Sequence, residues 1–320
     1  MTGATPLTIY RAMQELSDQG VIHRRKGVGT FVGPAHQAVR TGEVCLVLPA
    51  QDLDRPEVNP EYWPYVQTLF RAFIEATRQG WSFSTRVFNP EQDSPSTIAS
   101  SFARFDVVFF HFANPPVALM KHLIQRRITR VIKLGLPHDE LACLTVDHDR
   151  VEGARRAVGH MLSRGYRRIG FVGHREYWGQ MSFDGYSQAL QDAGIKPKAS
   201  WSVRVGDNRA EGARGASALL AANSDLDAIF VDADLRALGV LDALTLRGIH
   251  VPEDMAVMGY DGLDLAVHHP PHLTSLEIPY RQIIAGALDE AARCESKLMP
   301  RKHLNYVGSV VPGLTVGRRV

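Results

Sequence analysis

Cysteine is scarce: Cys45, Cys143 and Cys294 are the three in 320 residues, widely spaced and without a CxxC pair. That pattern excludes a disulfide framework and predicts reduced thiols in a cytoplasmic protein. A signal peptide is lacking too, since Thr2–Leu7 has no basic region followed by an apolar core. No apolar run approaches the ~20 residues that cross a bilayer, so no membrane partner is expected. The chain holds no P-loop, no H-E-x-x-H and no G-x-S-x-G, and Gly170-Phe-Val-Gly173 is not a G-x-G-x-x-G. An enzyme is therefore not expected, and no catalytic residue, cofactor or metal is assigned. The 13 histidines are scattered, and His268-His269 ahead of Pro270 reads as a solvated pair, with a metal site as the alternative.

A strong overall charge is also absent. The net charge is +2, which rules out a global basic field for nucleic acid. The charge is uneven, however. Residues 1–40 hold Arg11, Arg24, Arg25, Lys26 and Arg40 against Glu15 and Asp18. A small basic head on a neutral body fits local DNA contact.

The head has readable elements. Thr5-Pro6 is a helix start, with Thr as cap and Pro at the first helical position. Ile9, Ala12, Met13 and Leu16 repeat at helical spacing and stop near Gly20. Val21–Arg25 is a strand, Lys26–Gly29 a tight turn, and Thr30–Val32 returns. Residues 34–41 read as a linker. From Val44 onward, strand-like runs alternate with amphipathic stretches. They lie near Val44–Leu48, Phe83–Phe88, Val107–Phe112, Val131–Leu134 and Leu144–Val146. A second series follows near Ile169–Val172, Val203–Val205, Ile229–Val231 and Val257–Met258. Two βα series predict an α/β fold of two Rossmann-like lobes with parallel sheets and a ligand cleft between them.

Thr8-Ile-Tyr-Arg-Ala-Met-Gln-Glu-Leu16 and Gly20-Val-Ile-His-Arg-Arg-Lys-Gly-Val-Gly-Thr-Phe-Val32 resemble the end of a GntR-type winged helix-turn-helix. Two helices that the family places earlier are missing, so residues 1–33 are expected to be a partial winged helix. The body resembles LacI/GalR-type sugar-sensing domains, which have a periplasmic binding protein type I-like fold. The resemblance rests on Val146–Asp149, Gly153-Ala154-Arg155, Gly165–Gly173, Gly185-Tyr186, Asp227–Phe230, Ala237-Leu238-Gly239, Arg247-Gly248-Ile249 and Val251-Pro-Glu-Asp-Met-Ala-Val-Met-Gly-Tyr-Asp261, in order. It spans residues 42–320. The topology it implies places three crossings near Leu162–Gly165, Ile278–Tyr280 and Asn305–Gly308. Lobe 1 is then 42–163 and 280–306, and lobe 2 is 164–279 and 307–320.

The resemblance also implies site residues. Asp261, just past a strand's carboxyl end, is expected to accept hydroxyl hydrogen bonds from a ligand. The acid that commonly follows in the family is Gly262 here. Tyr62, Trp63 and Tyr65, Tyr177 and Trp178, and Tyr280 offer flat faces suited to sugar rings. Asn114 and Asp147 are further cleft candidates, while Asp149 and Glu152 read as helix caps, with a place in the cleft lining as the alternative. Two departures weaken a simple sugar geometry: Ser182 stands where an Arg is frequent, and Ala233-Asp234 where Asn-Asp is. Arg175 and Arg236 lie on nearby loops. An Arg pair reaching in would favour an acidic or phosphorylated ligand, and surface solvation is the alternative. On the head, Thr8, Tyr10 and Arg11 are expected to meet DNA from the recognition helix, with Arg24, Arg25, Lys26 and Gly29 on the wing. The expectation is a homodimeric transcriptional repressor that binds operator DNA and is controlled by a small carbohydrate-like effector. The alternative is a sugar-binding protein that has lost DNA binding.

Overall fold

A computed structural model describes residues 22–25, 29–32, 42–50, 62–78, 80–89, 92–111, 115–268 and 270–319. Strands β1 (Ile22–Arg25) and β2 (Gly29–Val32) pair antiparallel, with Arg24 opposite Thr30 and Arg25 opposite Gly29. Thr8, Tyr10, Arg11, Lys26, Asn114 and the linker 34–41 lie outside the described residues.

Two six-stranded sheets form the body. The first runs in the order β13-β7-β6-β5-β3-β4 and is parallel throughout. Its strands are β3 (Gly42–Pro49), β4 (Trp81–Phe88), β5 (Val107–His111), β6 (Arg130–Leu134), β7 (Leu144–His148) and β13 (His303–Tyr306). The second runs β14-β12-β11-β10-β8-β9, from β8 (Ile169–His174), β9 (Ser202–Val205), β10 (Ala228–Val231), β11 (Ala256–Asp261), β12 (Thr274–Glu277) and β14 (Ser309–Val311). Only β14 among these six is antiparallel to its neighbour. Helices cover both faces of the central strands, so Val-Val-Phe-Phe in β5 and Ala-Ile-Phe-Val in β10 are continuous apolar runs rather than alternating ones.

The nine helices of the described residues are α1 (Tyr62–Thr77), α2 (Pro95–Ala99), α3 (Val117–Gln125), α4 (Arg150–Ser163), α5 (Tyr177–Asp192), α6 (Arg209–Ala222), α7 (Asp234–Thr245), α8 (Asp264–His268) and α9 (Tyr280–Arg293). Helix α1 turns Val66, Leu69 and Phe73 into the first lobe. There Phe73 stacks on Phe83 at 5.0 Å and meets Phe109 edge-on at 5.0 Å.

The first crossing differs from the expected one. The chain leaves the first sheet at His148, and the Asp149 amide donates to the Tyr306 carbonyl at 2.6 Å, tying two crossing segments together. Helix α4 then packs on α5 and against β11 and β12 of the second sheet. The boundary thus lies at Asp149, one helix before Leu162–Gly165. The physical reason is a small-residue face. Gly153, Ala154 and Ala157 are buried on α4, and a Cβ at Gly185 on α5 would fall 2.1 Å from the Val151 carbonyl oxygen. Asp149 caps α4 by accepting from the Glu152 amide at 2.9 Å, whereas the Glu152 side chain pairs with Arg155 and Arg156 at the surface.

Candidate interlobe ligand site

Ligands of parallel α/β sheets bind outside the carboxyl ends of the strands. Strand β11 ends there in Tyr260 and Asp261. Asp261 has a positive φ of 115°, and Gly262 follows at 71°. A side chain held in that region costs ~1–3 kcal/mol and is often found at ligand sites. Gly262 also allows a close pass, since a Cβ there would sit 2.6 Å from the Glu277 Cα. The acid expected after Asp261 therefore has no room.

The Asp261 carboxylate is 2% exposed. It accepts from the Tyr65 hydroxyl of lobe 1 at 2.7 Å and from the Asp234 amide at 3.4 Å. Arg150 Nη2 stands 3.9 Å from its other oxygen. Burial pushes its pKa up to about 6, against the pull of Arg150, Tyr65 and Arg236. Burial, followed by the Asp261 charge, raises the Tyr65 hydroxyl well above its usual range.

Arg150 opens α4. Its Nη1 donates to Ser182 Oγ and to the Asp232 carbonyl, both at 3.3 Å. The guanidinium lies 4.7 Å from the Tyr260 ring centre and 5.9 Å from that of Trp178. Burial opposes its charge, but Tyr260, Asp261 and Asp232 outweigh that and keep it protonated. Sequence reasoning missed this residue. A signal existed: a cation in the first turn of a helix opposes the macrodipole, so Arg150 there breaks a local rule.

The other expected residues fall in different places. Arg236 is 5% exposed and already occupied: Nε and Nη2 bind one oxygen of Asp232 at 2.9 and 2.7 Å, and Nη1 binds Asp207. Arg175 is 66% exposed and faces Glu211 at 3.5 Å. No guanidinium pair is assembled from them for an anion. Asp234 serves the fold, accepting from the Leu263 amide at 2.7 Å and Ser275 Oγ at 2.6 Å. Trp178 is half-buried beside Arg150, while Tyr177 and Trp63 are largely exposed. Tyr62 begins α1, and Tyr65 of the same helix reaches Asp261. Tyr280 lines a cleft of about 570 Å³ with Arg71, Glu75, Asp264 and Glu277. Arg71 of α1 also pairs with Asp264 of α8, a second link across the lobes.

At the strand ends of lobe 1 stand His111, Lys133, Asp147 and His148. Burial and then Lys133 depress the His111 pKa to about 4. His148 Nδ1 meets Asp147 at 3.2 Å. Burial alone would raise the Asp147 pKa, but His148 more than offsets it and the pKa is lowered.

A family profile described as a periplasmic binding protein-like domain matches residues 158–316. The HTH-type transcriptional regulator GalS of Salmonella typhimurium is 33% identical over 170 residues, 48% of this chain and 50% of that protein. The HTH-type transcriptional regulator CelR of Thermobifida fusca is 34% identical over 149 residues, 46% of this chain and 43% of its own length. The chain thus spans about half the length of the curated relatives it matches. Among solved structures, a transcriptional regulator CelR–cellobiose complex superposes with a TM-score of 0.64 at 22% identity, covering 98% of this chain and 92% of that one. The Escherichia coli transcriptional repressor ascG gives 0.67 at 20% identity, covering 87% of this chain and 100% of that one. The two lobes have a periplasmic binding protein-like fold, and about half of the chain is similar in sequence to HTH-type transcriptional regulators.

Proposed function

We propose that this chain is the sensing part of a cytoplasmic, homodimeric transcriptional repressor whose DNA affinity is set by a small carbohydrate effector held between the lobes. The observation that carries this reading is the Tyr65–Asp261 bond, a buried carboxylate engaged by a hydroxyl from the opposite lobe. A ligand hydroxyl presents the same donor to the same acceptor. It shifts the protein between lobe arrangements only to the extent that it binds one of them more tightly. The named regulators and the cellobiose complex support the sugar-sensing role by likeness. The antiparallel hairpin carrying Arg24 and Arg25 supports a winged head with Thr8, Tyr10 and Arg11 on its helix and Lys26 and Gly29 at its wing.

The test has two stages. Thermal shift against neutral sugars, sugar acids and sugar phosphates identifies an effector, because saturation at about a hundred times Kd adds roughly 2.7 kcal/mol. Anisotropy with labelled DNA from upstream of the chain's own gene then reads binding with and without that effector. Salt-sensitive DNA binding that changes on adding the sugar is the expected result. A sugar that binds while DNA binding stays absent would favour a sugar-binding protein without a DNA role.

A further inference from the structure

We infer that Arg150 selects the effector, and that Arg150 with Asp261 clamps adjacent hydroxyls of a neutral polyol rather than an anion. This rests on the sensor reading above and specifies its ligand class.

The Arg150–Asp261 pair is close but not closed. At 3.9 Å, Nη2 and the carboxylate oxygen are farther apart than the ~2.7–2.9 Å of a charge-assisted hydrogen bond. Tyr65 takes one oxygen of Asp261, and the other faces the guanidinium. Arg150 spends Nη1 on Ser182 and Asp232, while its buried Nε has no hydrogen-bond partner. His148 Nε2 and Tyr260 Oη are likewise buried and unpartnered. They surround the same ring, with His148 5.9 Å and Arg150 4.7 Å from Tyr260. A buried polar group without a partner is unfavourable, so a cluster of three marks a place built to meet polar atoms.

Charge decides which polar atoms fit. Arg150 is balanced by Asp261 beside it, and Arg236 is consumed by Asp232 and Asp207. An anion would meet one balanced cation and a neighbouring buried carboxylate; a cation would meet Arg150. A hydroxyl both donates and accepts. One of two adjacent hydroxyls donates to Asp261 while the next accepts from Arg150, with the half-buried Trp178 ring flanking the guanidinium.

The experiment compares the full chain with Arg150→Met and Arg150→Lys by calorimetry and thermal shift. The probes are glucose, galactose, ribose, cellobiose, gluconate and glucose 6-phosphate, followed by single-deoxy analogues of the best binder. The expected result is a neutral sugar as best binder, weakened roughly ten- to hundredfold by Arg150→Met. Arg150→Lys keeps the charge without the planar fork, and it too weakens binding. Two deoxy positions, adjacent on the ring, reproduce the loss. Melting of each variant without sugar checks folding, and Arg150→Lys keeps the test decisive should Arg150→Met not fold. A neutral sugar that binds wild type and both variants equally overturns the role of Arg150 alone. Preference for gluconate or glucose 6-phosphate overturns the ligand class. No binding of any probe to wild type overturns the sensor reading and this inference together.

Discussion

Burial of Asp261 costs stability at neutral pH. Its pKa rises on folding from 3.8 to about 6, chiefly through burial. A carboxyl with a raised folded pKa contributes stability that is fully present below the unfolded value and is lost as pH climbs through the folded one. The loss therefore falls between pH ~4 and 6 and amounts to as much as about 3 kcal/mol. His111, depressed to about 4 by burial and Lys133, runs the other way. The unfolded state binds its proton more readily, so its contribution grows as pH rises from ~4 to 6.5. The two oppose each other in the intact protein. Asp261→Asn removes one and keeps the other. The difference in melting temperature between Asp261→Asn and wild type should be small at pH 4 and should widen in the variant's favour up to pH 7, while sugar binding is lost. A constant difference across that range would mean that Asp261 is not titrating there.

At the scale of elements, most strands were legible because buried parallel strands write their runs locally. All nine expected runs coincide with strands. The short β13 and β14 are not legible as strands, since His-Leu-Asn-Tyr and Ser-Val-Val carry little periodic signal. The side on which α4 packs was also illegible. One buried face looks the same whichever sheet it meets, and the contact is fixed by Gly185 on the facing helix α5. This contact gives a direct test. Gly185→Ala drives a Cβ toward the Val151 carbonyl, and the backbone there cannot step aside. Destabilisation of ~1–3 kcal/mol is expected, lowering the melting temperature by several degrees. An unshifted melt would show that α4 and α5 separate easily. The exposed Arg71–Asp264 pair is a contrast: solvent screens it, and Arg71→Ala should leave the melting temperature nearly unchanged.

For the whole molecule, the site is where sequence reading falls short, because its members meet from far apart. Tyr65 and Asp261 are 196 positions apart. Asp261 was legible as the tip of a strand, and Tyr65 only as one aromatic among several; the bond between them belongs to the assembled lobes. That bond links the two halves, beside the Arg71–Asp264 pair. Tyr65→Phe deletes a hydrogen bond to a charged acceptor, worth ~1.5–3 kcal/mol. Small-angle scattering of the variant without added sugar should show a larger radius of gyration than wild type. Saturating the variant with an identified effector should restore compactness. Equal radii in all conditions would remove Tyr65 as a tie between lobes.

The three passages of the chain between sheets bear on how such a protein can be assembled from parts. Strand β13 completes the first sheet beside β7, and β14 completes the second beside β12, so each sheet closes on a strand from near the end of the chain. Neither half is a single segment that a gene fusion could lift out or replace. Recombination inside the body would strand an edge in one sheet or the other. The place where modules can be exchanged without that penalty is ahead of Gly42, where the first sheet begins. A two-lobed body of this topology can change what precedes Gly42 freely, while its two halves must be inherited together.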